Sequence, residues 1–167
     1  MYRFSQSLPY LLARLGVRMG ELFARELARD GLTLSMYRVL AALAEQGCPQ
    51  RLGELAVRTS IETSTLSRLV AEMQRRGYVT RARPETDQRS LAVDLTPEGA
   101  RLAVRLMPRA AHYEQVATGD LSPPDAAALK AALIQVYRNL DTLEREIEEA
   151  DAEISVTPLR AERRRAK

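Results

Sequence analysis

The sequence predicts a mostly α-helical chain with one small β-hairpin. Alanine, leucine, arginine and glutamate, all good helix formers, dominate its 167 residues. Apolar residues recur at three- and four-residue spacings through most of its length, the period of a helix with one buried face. Extended structure is favoured in one place only: Tyr78, Val79 and Thr80, a turn-rich stretch from Pro84 to Ser90, and the alternating Leu91, Val93 and Leu95. Eight glycines, eight prolines and no tryptophan leave little room for a β-sandwich.

The first helix is expected from about Ser7 to Arg29. Leu8, Leu12, Leu15, Met19 and Leu22 alternate spacings of four and three, an a/d seam, and Gly31 ends it. Thr33 or Ser35 can cap a second helix with an apolar face of Met36, Val39, Leu40 and Leu43, stopped by Gly47. Cys48, Pro49 and Gln50 read as a loop.

Two short helices follow. The stretch from Arg51 to Thr59 offers Leu52, Leu55 and Ala56 to a core. After Ser60-Ile61-Glu62, the segment Thr63 to Arg76 places Leu66, Leu69, Val70 and Met73 at i, i+3, i+4 and i+7, with Gly77 as its stop. The hairpin comes next. Thr96-Pro97-Glu98 then starts a long helix, because threonine caps and proline loses nothing in the first turn. Pro108 should kink or split that helix. Gly119 and Asp120 mark a turn, Ser122 caps the last helix, and Leu129, Leu133, Val136, Leu140, Leu143 and Ile147 form a sustained heptad seam along it. An exposed heptad is a liability, so the seams at the two ends of the chain predict a homodimer built from the first and last helices; packing within one subunit is the alternative.

The net charge is only +3, but residues 51–89 carry eight arginines against five acids, and the tail from Arg160 to Lys167 is basic. Lys130 and Lys167 are the only lysines. Arginine suits bidentate contacts to phosphate and guanine, although genome composition alone can produce such a bias. A single cysteine rules out an intramolecular disulfide framework, and its loop position between Gly47 and Pro49 makes a redox role for Cys48 incidental. No apolar run approaches the roughly 20 residues that span a bilayer, and Arg14 breaks the short apolar run near the start, so no membrane role and a cytoplasmic location are expected. One histidine, one cysteine and no glycine-rich phosphate loop leave no catalytic constellation, no metal site and no cofactor. The chain does not read as an enzyme.

Two short helices, a turn and a two-stranded hairpin make a winged helix-turn-helix. The second helix of such a unit enters the major groove of double-stranded DNA. Thr63, Ser64, Thr65 and Ser67 can bond phosphates or base edges there, and Arg68 can reach a guanine or a phosphate. Arg75 is a further candidate, although a cation near a helix C-terminus is also favoured by the dipole. The hairpin is a wing reaching toward the minor groove, whose negative floor attracts arginine; Arg89 is the candidate for insertion and Asp87 the group that could hold it extended.

The stretch from Ser60 to Leu102 resembles the MarR family of bacterial transcriptional regulators. It contains, in order, S-T-x-S-R-L-V (Ser64 to Val70), R-R-G-Y-V (Arg75 to Val79), D-x-R-S (Asp87 to Ser90) and L-T-x-x-G (Leu95 to Gly99). The resemblance extends over roughly residues 8–145. It implies a single domain: a DNA-binding lobe over 33–100, dimerisation helices over 7–30 and 101–150, and a basic tail over 155–167. It also implies a homodimer on pseudo-palindromic promoter DNA, usually a repressor, often released by a small aromatic or phenolic acid. Tyr10, Arg14 and Arg18 share one face of the first helix and, with His112, are the candidates for that effector; a solvated face is the plain alternative. The remaining alternatives are an activator, or a winged-helix dimer that binds protein without an effector.

Overall fold

The computed structural model describes residues 2–82 and 91–156, with backbone alone for 153–156. The chain divides into two compact units, Met1–Val116 and Ala117–Lys167.

In the first unit a 3-10 turn at Phe4–Gln6 leads into α1 (Leu8–Ala28), with Pro9 in its first turn. Its exit is a Schellman turn. Gly31 takes φ +67°, its N–H donates to the Ala28 carbonyl at 3.0 Å, and the Leu32 N–H donates to the Leu27 carbonyl at 3.1 Å. Thr33 then caps α2 (Leu34–Gln46), its hydroxyl oxygen accepting from the Met36 N–H at 3.2 Å. Met36, Val39, Leu40 and Leu43 are buried as their spacing predicts, and Gly47 ends the helix at φ +63°.

The chain then departs from the expected loop. Gln50–Arg51 form a short strand, β1, followed directly by α3 (Leu52–Thr59) and α4 (Thr63–Arg75). After α4 come β2 (Val79–Ala82) and β3 (Ala92–Leu95). The sheet has the order β1-β3-β2 and is antiparallel throughout, with Val79 opposite Leu95, Arg81 opposite Val93 and Gln50 opposite Val93 on the other edge. β1 is too short for any periodicity to reveal it. It exists because β3 would otherwise present an unpaired edge. The pairing continues one residue further, where the Leu52 N–H donates to the Leu91 carbonyl at 2.9 Å.

Thr96 joins the sheet to α5 (Pro97–Ala117). Its hydroxyl oxygen accepts from the Gly99 N–H at 3.0 Å and its own O–H donates to the Gly77 carbonyl at 2.6 Å. Gly99 has no room for a side chain: a Cβ there would stand 1.9 Å from the Tyr78 carbonyl oxygen. α5 runs unbroken through Pro108, so the expected split does not occur; one missing hydrogen bond is tolerated by the ladder on either side. The core collects Leu27, Val39, Leu40, Leu43, Leu55, Leu66, Val70, Met73, Val79, Val93 and Leu106, all essentially inaccessible.

The second unit contains α6 (Pro123–Val156). Ser122 caps it, accepting from the Asp125 N–H at 3.3 Å. Along it Leu129, Leu140, Leu143 and Ile147 are exposed by 44–54%, and on α1 Leu8, Leu12, Leu15 and Leu22 are exposed by 36–52%.

Candidate nucleic-acid interface

α4 separates its two faces cleanly. Leu66, Val70 and Met73 are buried and Leu69 partly so, which leaves Thr63, Ser64, Thr65 and Arg68 exposed on the other side and Ser67 half-buried between them. Arg68 makes no ion pair or side-chain hydrogen bond among the described residues, so its guanidinium keeps all its donors.

The entrance to α4 is organised by a residue that sequence reasoning took for part of a connection. Glu62 is the N-cap, and its carboxylate accepts from the backbone N–H groups of Ser64 and Thr65, both at 2.9 Å, and from the Ser64 hydroxyl. The Ser64 hydroxyl first, then the backbone donors, hold its carboxyl down to about 2. Glutamate is not among the usual capping residues, so its identity alone was a poor signal. The cap also changes the chemistry of Ser64. With its proton committed to Glu62, the hydroxyl presents an acceptor to any partner and has no donor left for a phosphate.

Arg75 is exposed but paired within α4 to Glu72, whose carboxyl is lowered by the Arg76 hydrogen bond and by the charges of both arginines. Arg76 turns away, its Nη1 donating to the Gly31 carbonyl at 2.8 Å. In β2, Arg81 donates to the Gln74 side chain at 2.6 Å. Asp87 and Arg89, the expected wing residues, and the basic tail beyond 156 lie outside the described residues.

The first unit also holds a cavity of about 350 Å³ between α1, α2 and α5, lined by Gly16, Met19, Gly20 and Phe23, by Leu34, Tyr37 and Arg38, and by Ala110, Tyr113 and Glu114. Its aromatic rings touch: Phe23 meets Tyr37 edge-on with centroids 4.9 Å apart, and Tyr113 at 5.3 Å. Burial, and then the Glu114 carboxylate, raises the Tyr37 hydroxyl above its usual range, so it stays a neutral donor.

None of the four residues singled out for an effector lines this cavity. Tyr10 and Arg14 do meet, with the guanidinium 5.8 Å from the ring centroid and a 3.3 Å hydrogen bond, while Arg18 and His112 are exposed. Helical spacing groups Tyr10, Arg14 and Arg18 along α1, and the first two meet; periodicity cannot say which face of α1 is hollowed by α2 and α5. The residues that do line the cavity read as ordinary core positions.

Among the described residues no cluster of three or more His, Cys, Asp or Glu could hold a metal ion, and no helix is long and apolar enough to cross a membrane.

A sequence profile of the MarR family matches residues 30–90. The crystal structure of the MarR family transcriptional regulator SPO1453 from Silicibacter pomeroyi DSS-3 aligns with a TM-score of 0.72 at 30% identity, over 84% of this chain and 99% of that one. The chain belongs to the MarR family.

Two further regulators align over most of the chain. Bordetella bronchiseptica BpsR, whose DNA binding is regulated by 6-hydroxynicotinic acid, gives a TM-score of 0.73 at 27% identity, covering 82% of this chain and 97% of that one. The HTH-type transcriptional repressor NicR of Pseudomonas putida is 25% identical over 128 residues, which are 77% of this chain and 80% of NicR. These relatives are transcriptional regulators, not enzymes, and so is this chain. The winged-helix architecture gives two MarR motifs a physical reading here. In L-T-x-x-G, Thr96 caps α5 and Gly99 makes room for the Tyr78 carbonyl. In R-R-G-Y-V, Gly77 takes φ +77° so that the chain can leave α4 for β2.

Proposed function

We propose that the chain is a MarR repressor acting as a homodimer on a pseudo-palindromic promoter site, and that a small aromatic acid releases it. The observation that carries this reading is the exposed polar face of α4, backed by a fully apolar buried face and topped by an unpaired Arg68. Such a helix can lie in the major groove with Thr63, Ser64, Thr65, Ser67 and Arg68 toward the base edges, and with Arg75 nearer the backbone. On the sequence reading, Arg89 enters the minor groove from the wing and Asp87 orients it. The exposed leucines of α1 and α6 support a dimer, because a monomer rarely leaves so much apolar surface to water. A dimer then presents two α4 helices to half-sites about one helical turn apart.

The cavity supports the effector. It has the size of a small-ligand site, a wall of three packed rings for an aromatic one to lie against, a neutral Tyr37 hydroxyl to donate, and the Arg38 cation at its edge for a carboxylate. The relatives point the same way, since BpsR responds to a hydroxylated pyridine carboxylic acid.

The reading is tested by footprinting the protein on the DNA upstream of its own gene, then titrating aromatic carboxylates, beginning with 6-hydroxynicotinic acid and benzoate. A protected site with two-fold symmetry, released by one of these acids in the wild type and not in Arg38→Ala, is the expected result. A site that persists under every acid, with an unshifted melting temperature, removes the effector and leaves a constitutive DNA-binding protein.

A further inference from the structure

The turn that ends α1 is held from two sides. The Gly31 carbonyl accepts from Arg76 Nη1 at 2.8 Å, across 45 residues of sequence. Arg76 is the residue that closes α4, and its Nε donates to Glu72 at 2.7 Å, so the guanidinium is fixed at two of its nitrogens. One residue before Gly31, Asp30 has a side chain only 19% exposed and pairs with Arg109 of α5 at 2.5 Å, with Arg105 at 3.8 Å. Glu26, in the last turns of α1, stands 3.8 Å from the same Arg109. Two adjacent residues therefore tie the C-terminal end of α4 and the middle of α5 to one point.

That point is stiff. Gly31 sits at φ +67° inside a turn closed by two backbone hydrogen bonds, and Leu27 and Leu32 beside it are buried. α4 is a continuous helix from its Glu62 cap to its Arg76 anchor, so a shift of the anchor is carried along it as a tilt. The helices that meet at the joint, α1 and α5, also form two walls of the aromatic cavity. The two arginines at the end of α4 divide the work. Arg75 is 76% exposed at its side chain, whereas Arg76 is 39% exposed and turned to the joint.

We propose that Arg76 is a positioning residue for DNA recognition: through the Gly31 carbonyl it sets the angle at which α4 is presented, and the neighbouring Asp30–Arg109 pair makes that angle follow the spacing of α1 and α5. Specificity for half-site separation then resides partly in a residue that touches no base.

The probe is a duplex selected by the full-length wild type from a randomised pool, remade with a base pair added or removed between its half-sites. Affinity is read across a salt series. Arg76→Ala is expected to lose roughly tenfold or more on the selected spacing, the scale of one hydrogen bond from a charged donor, and to lose its preference over the altered spacings. Its salt slope stays that of the wild type, because no phosphate contact is removed. Arg76→Lys, which can still donate to Gly31, recovers most of the preference. Arg109→Ala shifts the spacing preference too, and combined with Arg76→Ala costs less than the sum of the two, as residues acting through one joint do. Equal losses on every duplex with a shallower salt slope would make Arg76 a phosphate contact and overturn the proposal. An unchanged spacing preference in the variants, whatever their melting temperatures, would overturn it as well. Should Arg76→Ala not fold, Arg109→Ala carries the same two readings.

Discussion

Glu62 shows how one carboxylate can serve a helix and the exposed face beside it together. It satisfies two backbone donors that α4 would otherwise leave open, and it offsets the positive end of the helix dipole at the start of the exposed polar face. Its folded-state carboxyl lies at about 2 against an ordinary value of 4.5, a depressed group, so its contribution is fully present above pH 4.5 and fades as the pH falls toward 2. Glu62→Gln should therefore lower the melting temperature at neutral pH, and the gap to the wild type should close as a thermal-melt series moves into acid; a gap independent of pH would contradict the ion's role. Gly99 acts through space and not charge. Adding one methyl places it 1.9 Å from the Tyr78 oxygen, so the backbone that enters β2 and the start of α5 must separate. Gly99→Ala is expected to cost about 1–3 kcal/mol or more in urea unfolding, the scale of overpacking, and an unchanged midpoint would show that the junction is softer than it looks.

At the scale of elements, what could be read from the residues follows from periodicity and capping. α1, α2, α4 and α6 each carry an apolar stripe longer than two turns and a recognisable start or stop; α1, α2 and α4 lie within a residue or two of their expected bounds, and α6 starts at its expected cap and runs past the end of its seam to Val156. β1 was out of reach, because two residues have no period and owe their conformation to β3. The cavity was out of reach for a related reason. Phe23, Tyr37 and Tyr113 come from three helices and look like core positions until those helices are packed. The exposed face of α4 was legible; the commitment of the Ser64 hydroxyl to Glu62 was not, since it depends on a side-chain rotamer. The seams of α1 and α6 yield a prediction of their own. Leu140→Glu with Leu143→Glu places charge in the middle of the α6 stripe, and sedimentation velocity should show the wild type as a dimer and the variant shifted to monomer. A wild-type monomer at micromolar concentration would mean that the stripes serve another partner.

For the whole molecule, a net charge of +3 says little, because the acidic run over residues 141–153 masks the arginine excess of 51–89. Binding should track that local field and not the total, so affinity for DNA should fall steeply with salt in proportion to the phosphates engaged. The first unit holds together an exposed polar face on α4, an aromatic cavity, and a joint at Asp30–Gly31 to which both α4 and α5 are tied, the parts that the proposed regulation uses. The most direct measurement is fluorescence anisotropy on the selected duplex and a scrambled one, across a salt series, for the wild type, Arg68→Ala and Arg89→Ala. The wild type should prefer the selected duplex by a factor of about 10³ or more, and each variant should lose part of that preference, with about 1–3 kcal/mol at stake for a base contact. Equal, weak binding of both duplexes by all three proteins would contradict the assignment of α4 and the wing as the surface that reads DNA.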